Sequence, residues 1–249
     1  MTINLRLLQI LVLSAPTISA AQARDTVRVG SVRLSPLKVG VDTFDVEFEA
    51  QSPTGVQRTT NVLVQNVTRE RLGSNDALHV SFRSGSGPGG YWDVYVEPTT
   101  LRMLRYEQHT RTDSAIVDLR GECFTGWVDL EKLPRKTVAC DRYTDRFGSA
   151  PIDDRIIALL PLRAGWSGVL ATYGVIGGVP SGYEFTVAAE ESVKVGARDI
   201  QTWRVERRVT SAYGTVVFTS WIDRAQHRPV KTTIDFGNGR KQLRTLRNP

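Results

Sequence analysis

Apolar and polar residues alternate with a period of two along most of this chain. Phe44, Val46, Phe48 and Ala50 alternate with Asp45, Glu47 and Glu49; Leu78, Val80 and Phe82 with His79, Ser81 and Arg83; Trp92, Val94 and Val96 with Asp93, Tyr95 and Glu97. The pattern returns in Tyr183, Phe185, Val187 and Ala189, in Trp203, Val205 and Val209, and in Val230, Thr232, Ile234 and Phe236. Successive side chains of a strand point to opposite faces, so this spacing predicts antiparallel strands with one face on a core and one in water. Turn residues fall between them, at Ser52-Pro53-Thr54-Gly55, Gly73-Ser74-Asn75-Asp76, Gly85 to Gly90 and Phe236-Gly237-Asn238-Gly239. The last carries two glycines that admit positive φ in a tight hairpin. The pattern amounts to about a dozen strands. Only Pro151 to Leu162 reads as helix, with Pro151 at its start, Asp153 and Asp154 in the first turn, Ile156, Ile157, Leu159 and Leu160 as an apolar face, and Pro161 as its stop.

Sliding the chain by 126 residues lays Trp92 to Arg105 over Phe218 to Lys231, with aromatic, aliphatic, acidic and basic positions in step. Upstream, Leu72-Gly73 falls near Val195-Gly196 once small loop insertions are allowed. Two similar meanders are expected, about 40–145 and 165–247, within one β domain spanning 24–249. No Ser-Gly-Pro linker separates them, so a single curved sheet is the simpler arrangement.

The run Gly196 to Glu206, containing Trp203 and Val205, is followed by Trp221-Ile222-Asp223 and Arg228-Pro229-Val230-Lys231, and preceded by Leu160-Pro161-Leu162 and Gly165-Trp166. These stretches resemble the bacterial exported proteins grouped as domain of unknown function 3108, over residues 155–247. The resemblance implies a curved antiparallel sheet like the half-barrels of lipoprotein carriers, and it supplies no catalytic residues. The segment between Cys123 and Cys140 departs from that pattern.

Residues 1–23 read as a secretory signal. Arg6 precedes an apolar run from Leu7 to Leu13, Pro16 breaks it, and Ala21-Gln22-Ala23 forms a small-x-small cleavage pattern. The run is about half the roughly 20 residues a membrane span needs, so cleavage after Ala23 and a periplasmic or secreted mature chain, with no transmembrane segment, are expected. In an oxidising compartment Cys123 and Cys140, the only cysteines, are expected to pair and to pin the base of a long hairpin.

Charge and chemistry narrow the function less sharply. Lys and Arg exceed Asp and Glu by 32 to 26, and from Arg224 onward seven cations face one anion, Asp235. Arg240, Lys241, Arg244 and Arg247 are thus a candidate basic patch, toward acidic head groups or an envelope protein rather than nucleic acid. Gly85 to Gly90 fits a dinucleotide-loop pattern but leads into a strand, not the helix that chemistry requires. His79, His109 and His227 lack metal-ligand spacing and read as solvent-face residues; Asp223 and His227 are placed to share a hydrogen bond across a turn. Asp153 and Asp154, adjacent on a helix, diverge by about 100° and read as helix-start charges rather than an acid–base pair. No metal, cofactor or catalytic group is therefore assigned.

What remains is aromatic surface. Five tryptophans, and strands with large apolar groups on both faces, suggest a groove for a lipid or acyl chain lined by Tyr95, Trp166, Trp203 and Trp221. The leading expectation is a non-enzymatic carrier-type protein of the bacterial envelope. The alternative is a structural or assembly protein acting through its basic C-terminal strands. A hydrolase would need Asp141, Asp145 or His109 to converge in a pocket.

Overall fold

The computed structural model describes residues 25–85, 90–131, 134–148, 152–175, 179–211 and 214–249. The expected export signal, most of the Gly85–Gly90 loop and Pro151 lie outside these residues. Sixteen strands form one sheet: β1 (Asp25–Val27), β2 (Gly40–Ser52), β3 (Gly55–Leu72), β4 (Asn75–Ser84), β5 (Tyr91–Val96), β6 (Met103–His109), β7 (Ser114–Arg120), β8 (Cys123–Asp129), β9 (Lys136–Asp141), β10 (Phe147–Gly148), β11 (Ser167–Gly174), β12 (Val179–Val195), β13 (Arg198–Ser211), β14 (Gly214–Asp223), β15 (Arg228–Gly237) and β16 (Arg240–Leu246). The helix is confined to Asp153–Ala158, α1, shorter than its apolar run suggests. Among the described residues no helix is long and apolar enough to cross a membrane.

The sheet is two antiparallel meanders joined where the chain ends meet. β2 to β9 pair in sequence, β11 to β16 pair in sequence, and β16 lies antiparallel beside β2, with Leu246 opposite Phe44 and Arg240 opposite Ala50. The free side of β11 is shared by two short parallel strands: β1 covers Gly168 to Leu170 and β10 covers Thr172 and Tyr173. The sheet curls until its far ends touch. Tyr173 on β11 donates a 2.6 Å hydrogen bond to Asp141 on β9, its ring stacks on Phe124 of β8 at 5.0 Å, and the Val29 amide bonds the Asp145 carbonyl at 3.0 Å. Edges that would otherwise offer unpaired amides are thereby shortened or covered.

The concave face is apolar over most of its area and is plugged by α1. Leu78, Val80, Val94, Val117, Phe124, Leu170, Phe185 and Val205 are buried with Ile152, Ile156, Ile157, Leu159 and Leu160 in one cluster. A six-residue helix is too short to persist alone, so α1 is held by this burial rather than by its own propensity.

Two turns 126 positions apart share their geometry. A register shift between Tyr95 and Val96 on β5 matches one between Trp221 and Ile222 on β14. Leu101 and His227, in the turns that follow, both have positive φ, 56° and 51°. In the second turn the Asp223 carboxylate accepts from the Ala225 and Gln226 amides, while His227 reaches Asp223 through the backbone. The expected Asp–His side-chain pair is thus replaced by a carboxylate that closes its own turn. At Phe236 to Gly239 the two glycines and Asn238 all take positive φ, as the hairpin requires.

The sulfurs of Cys123 and Cys140 are bonded, with Cα atoms 4.9 Å apart, across the base of the β8–β9 hairpin. Beside them Gly126 has φ of +152°, and a Cβ there would sit 2.0 Å from the Ile116 carbonyl oxygen on β7. Gly126→Ala is therefore expected to destabilise by about 1–3 kcal/mol, by prying β7 from β8. Urea denaturation would measure it; an unchanged midpoint would show that the strand shifts without cost.

Candidate functional site

On the concave face, beside α1, a hollow of about 460 Å³ separates the two meanders. Leu63, Phe82 and Trp92 wall it from β3 to β5, and Val209, Val216, Phe218 and Phe236 from β13 to β15. Val209 and Val216 stand opposite each other across the β13–β14 ladder. The strand alternation places them: Phe218 and Ser220 point inward, whereas Val217 and Thr219 line a separate external groove.

The hollow ends in polar groups. Asp153, Asp154, Arg207, Arg244, Tyr106 and Gln108 line it here, and Tyr183 of β12 completes the lining. Arg207, 3% exposed, lies on β13 with its guanidinium 4.5 Å from the Phe218 ring. It pairs directly with Asp154 and stands 3.8 Å from Asp153. Ser220 adds a 3.3 Å hydrogen bond to Asp154. The N-cap of α1 is Ile152, whose apolar side chain cannot cap the helix. Both acids sit in the first turn of α1, as expected, and one guanidinium also spans them.

Behind this lies a second layer. Arg155 of α1 pairs with Asp42 and donates from Nε to Gln65 Oε1 at 2.8 Å. Asp42 also accepts from Arg228 at 2.6 Å. Burial lowers the Arg155 pKa, and the facing Asp42 carboxylate opposes that shift. Burial likewise lowers Arg244, with Asp154 opposing. Tyr106, buried and donating to Gln108 Oε1 at 2.5 Å, is pushed well above the usual phenol range by desolvation and by Asp153. It is a fixed neutral donor, not an acid.

The four aromatics expected to line a groove do not converge on this hollow. Tyr95 has the opposite alternation to Trp92 and stacks on His79 at 4.4 Å. Trp221 follows the inward-pointing Ser220 and faces the other way, with Nε1 donating to Glu191 and Lys231 lying 5.1 Å from its ring. Trp166 packs edge-on against Phe185. Trp203 packs against the core with Arg224 over it, beyond Val205 from the hollow. Trp92, on the inward alternation of β5, was legible in the sequence and is the tryptophan that the hollow uses.

The basic patch is also dispersed. Arg244 points inward beside Arg207; Arg240 lies 5.7 Å from both the Phe48 and Phe236 rings; Lys241 pairs with Asp235 and Arg247 with Asp45. His79 lies on the outer face of β4, as expected, but is not free there: its ring bridges Glu70 at 2.9 Å and Asp93 at 2.7 Å. The hydrogen bond from His79 holds the Glu70 carboxyl below its ordinary pKa. Asp141, Asp145 and His109 meet different partners, Tyr173, Arg28 and the Tyr91 ring. Among the described residues no three His, Cys, Asp or Glu side chains are grouped to hold a metal.

The curled sheet has a counterpart among solved structures. A beta-barrel-like protein of domain of unknown function DUF1849 from Brucella abortus superposes with a TM-score of 0.53 at 11% identity, covering 87% of this chain and 97% of that one. The likeness is one of fold. A protein assigned as exported, with a YmcC-like fold, from Bacteroides fragilis aligns at 12% identity over 86% of this chain and 97% of its own, with a TM-score of 0.31. A domain assigned to outer-membrane lipoprotein sorting from Vibrio parahaemolyticus reaches 0.24 at 10% identity, covering 83% of each chain. Both are too loose to carry an argument. No protein-family model matches the chain, so the resemblance to the 3108 family is not shown, and no curated protein matches it in sequence.

Proposed function

We propose that this protein is an exported binding or carrier protein of the bacterial envelope that holds an apolar chain in the concave hollow. The observation that carries this reading is the hollow itself. Its volume of about 460 Å³ lies within the range of small-molecule sites, and its walls are aromatic and aliphatic with polar groups at one end. An apolar chain lying in it would take the Phe82, Trp92, Val216 and Phe218 surfaces out of water, which favours an occupant. Assembly through the C-terminal cations is the weaker reading, since Arg244 faces inward and Lys241 and Arg247 are ion-paired.

Val216→Trp is expected to fill the hollow and abolish displacement-detectable binding of an apolar fluorescent probe, with the unfolding midpoint near that of the wild type. Thr219→Trp, on the external groove, serves as the control and is expected to bind normally. Undiminished binding in Val216→Trp, or no binding by the wild type, would sink the proposal.

A further inference from the structure

We infer that the apolar chain held by the hollow carries a negatively charged head, a carboxylate or phosphate, and that Arg244 receives it; this rests on the hollow being a binding site. Among the described residues the polar end and the layer behind it hold four guanidinium groups, Arg155, Arg207, Arg228 and Arg244, against three carboxylates, Asp42, Asp153 and Asp154. Each of the first three cations has a carboxylate within 4 Å. Arg244 does not. Its Nε and terminal nitrogen both go to one neutral acceptor, Gln242 Oε1 on its own strand, at 3.2 and 3.0 Å. A guanidinium has five donors in a planar fork, so three remain for another group.

The position of Arg244 fixes where that group sits. The side chain borders both the apolar hollow and the narrow cleft behind it that Gln65, Asp154, Arg155 and Thr232 line. An anion on Arg244 would thus stand at the end of the apolar walls, with its chain running between Phe82 and Phe218. The two acids nearby do not repel it outright, because Arg207 already answers both. A cation with no carboxylate within ion-pair distance is costly to hold in a partly dry site, and a ligand anion making charge-assisted hydrogen bonds offsets that cost. The hollow lies toward the small end of the range for ligand sites, which favours one chain over two.

The test compares dodecyl ligands that differ only in their heads, by displacement of an apolar fluorescent probe from the full mature protein. Laurate or dodecyl phosphate is expected to bind about tenfold or more tightly than 1-dodecanol, the scale of one hydrogen bond to a charged group. Dodecyltrimethylammonium is expected to bind more weakly than the alcohol. Whichever anion binds more tightly identifies the head. In Arg244→Gln the affinities for laurate and dodecanol should converge, and in Arg244→Lys the preference should persist. Equal binding of laurate and dodecanol by the wild type would overturn this inference while leaving the binding site standing. A preference undiminished in Arg244→Gln would overturn the assignment to Arg244. Phosphatidylglycerol vesicles displacing the probe as well as laurate would overturn the single chain, and no displacement by any ligand would overturn both readings.

Discussion

Asp42→Ala is expected to destabilise the protein by about 3–5 kcal/mol, the usual cost of stripping a buried ion pair of one partner. Two guanidiniums share this one carboxylate, Arg155 through Oδ2 and Arg228 through Oδ1. Arg155 is 6% exposed, so its charge cannot retreat to solvent once the carboxylate is gone. The Arg228 charge already opposes protonation of Arg155, and without Asp42 only the weaker pull of Asp154 would offset it. Nearby the Gln65 Nε2 group is buried with no partner, so the layer has no spare acceptor. Asp45 on the same strand offers the contrast: its pair with Arg247 is solvent-exposed, and Asp45→Ala is expected to cost under about 1 kcal/mol. Against a total stability of roughly 5–15 kcal/mol, the first change is large and the second is minor. Urea denaturation of the two variants decides the point, and equal midpoints would show that Asp42 is more solvated than its burial implies.

The second large effect is expected at the disulfide. Closing a loop of 17 residues is worth about 3 kcal/mol on the chain-entropy account, and replacing both Cys123 and Cys140 by serine should remove it. The loss would act first on β9, the last strand at its end of the sheet, which is tied to the rest by β8 and by the Tyr173–Asp141 hydrogen bond. The Arg135 guanidinium over Trp127, at 4.0 Å, is a further tie across this hairpin. Thermal unfolding with and without reductant, beside the double serine variant, measures the effect. A wild type indifferent to reductant would show that β8 and β9 are held by their ladder alone.

The strands were legible because alternation is a local property. Phe44, Val46 and Phe48, or Leu78, Val80 and Phe82, declare an inner face without knowledge of the partner strand, and the disulfide followed from two cysteines and an oxidising compartment. The shortfall, about a dozen strands against sixteen, comes from short elements such as β1 and β10, whose two or three residues hold no periodicity and exist because β11 has an edge to fill. The site was less legible for two reasons. Alternation puts Tyr95 and Trp221 on the face opposite Trp92 and Ser220, but it does not say which of two apolar faces turns concave, and the curl selects the face of Trp92. The inner ionic layer was not visible at all: Asp42, Gln65, Arg155, Arg207 and Arg228 come from five distant segments, and an arginine on a strand reads as solvated until a helix closes over it.

The seam between β16 and β2 bears on how the molecule reaches its native state. The ladder from Leu246–Phe44 to Arg240–Ala50 joins nearly the first described segment to nearly the last, so a chain still being synthesised cannot complete it. Such remote pairing slows folding, because the long loop must be closed before any contact rewards it. Until the final strand emerges, β2 presents an uncovered rim of amides and carbonyls that invites intermolecular pairing. The two meanders can therefore merge into one sheet only after β16 has been made, which leaves this seam as the last pairing open to the chain.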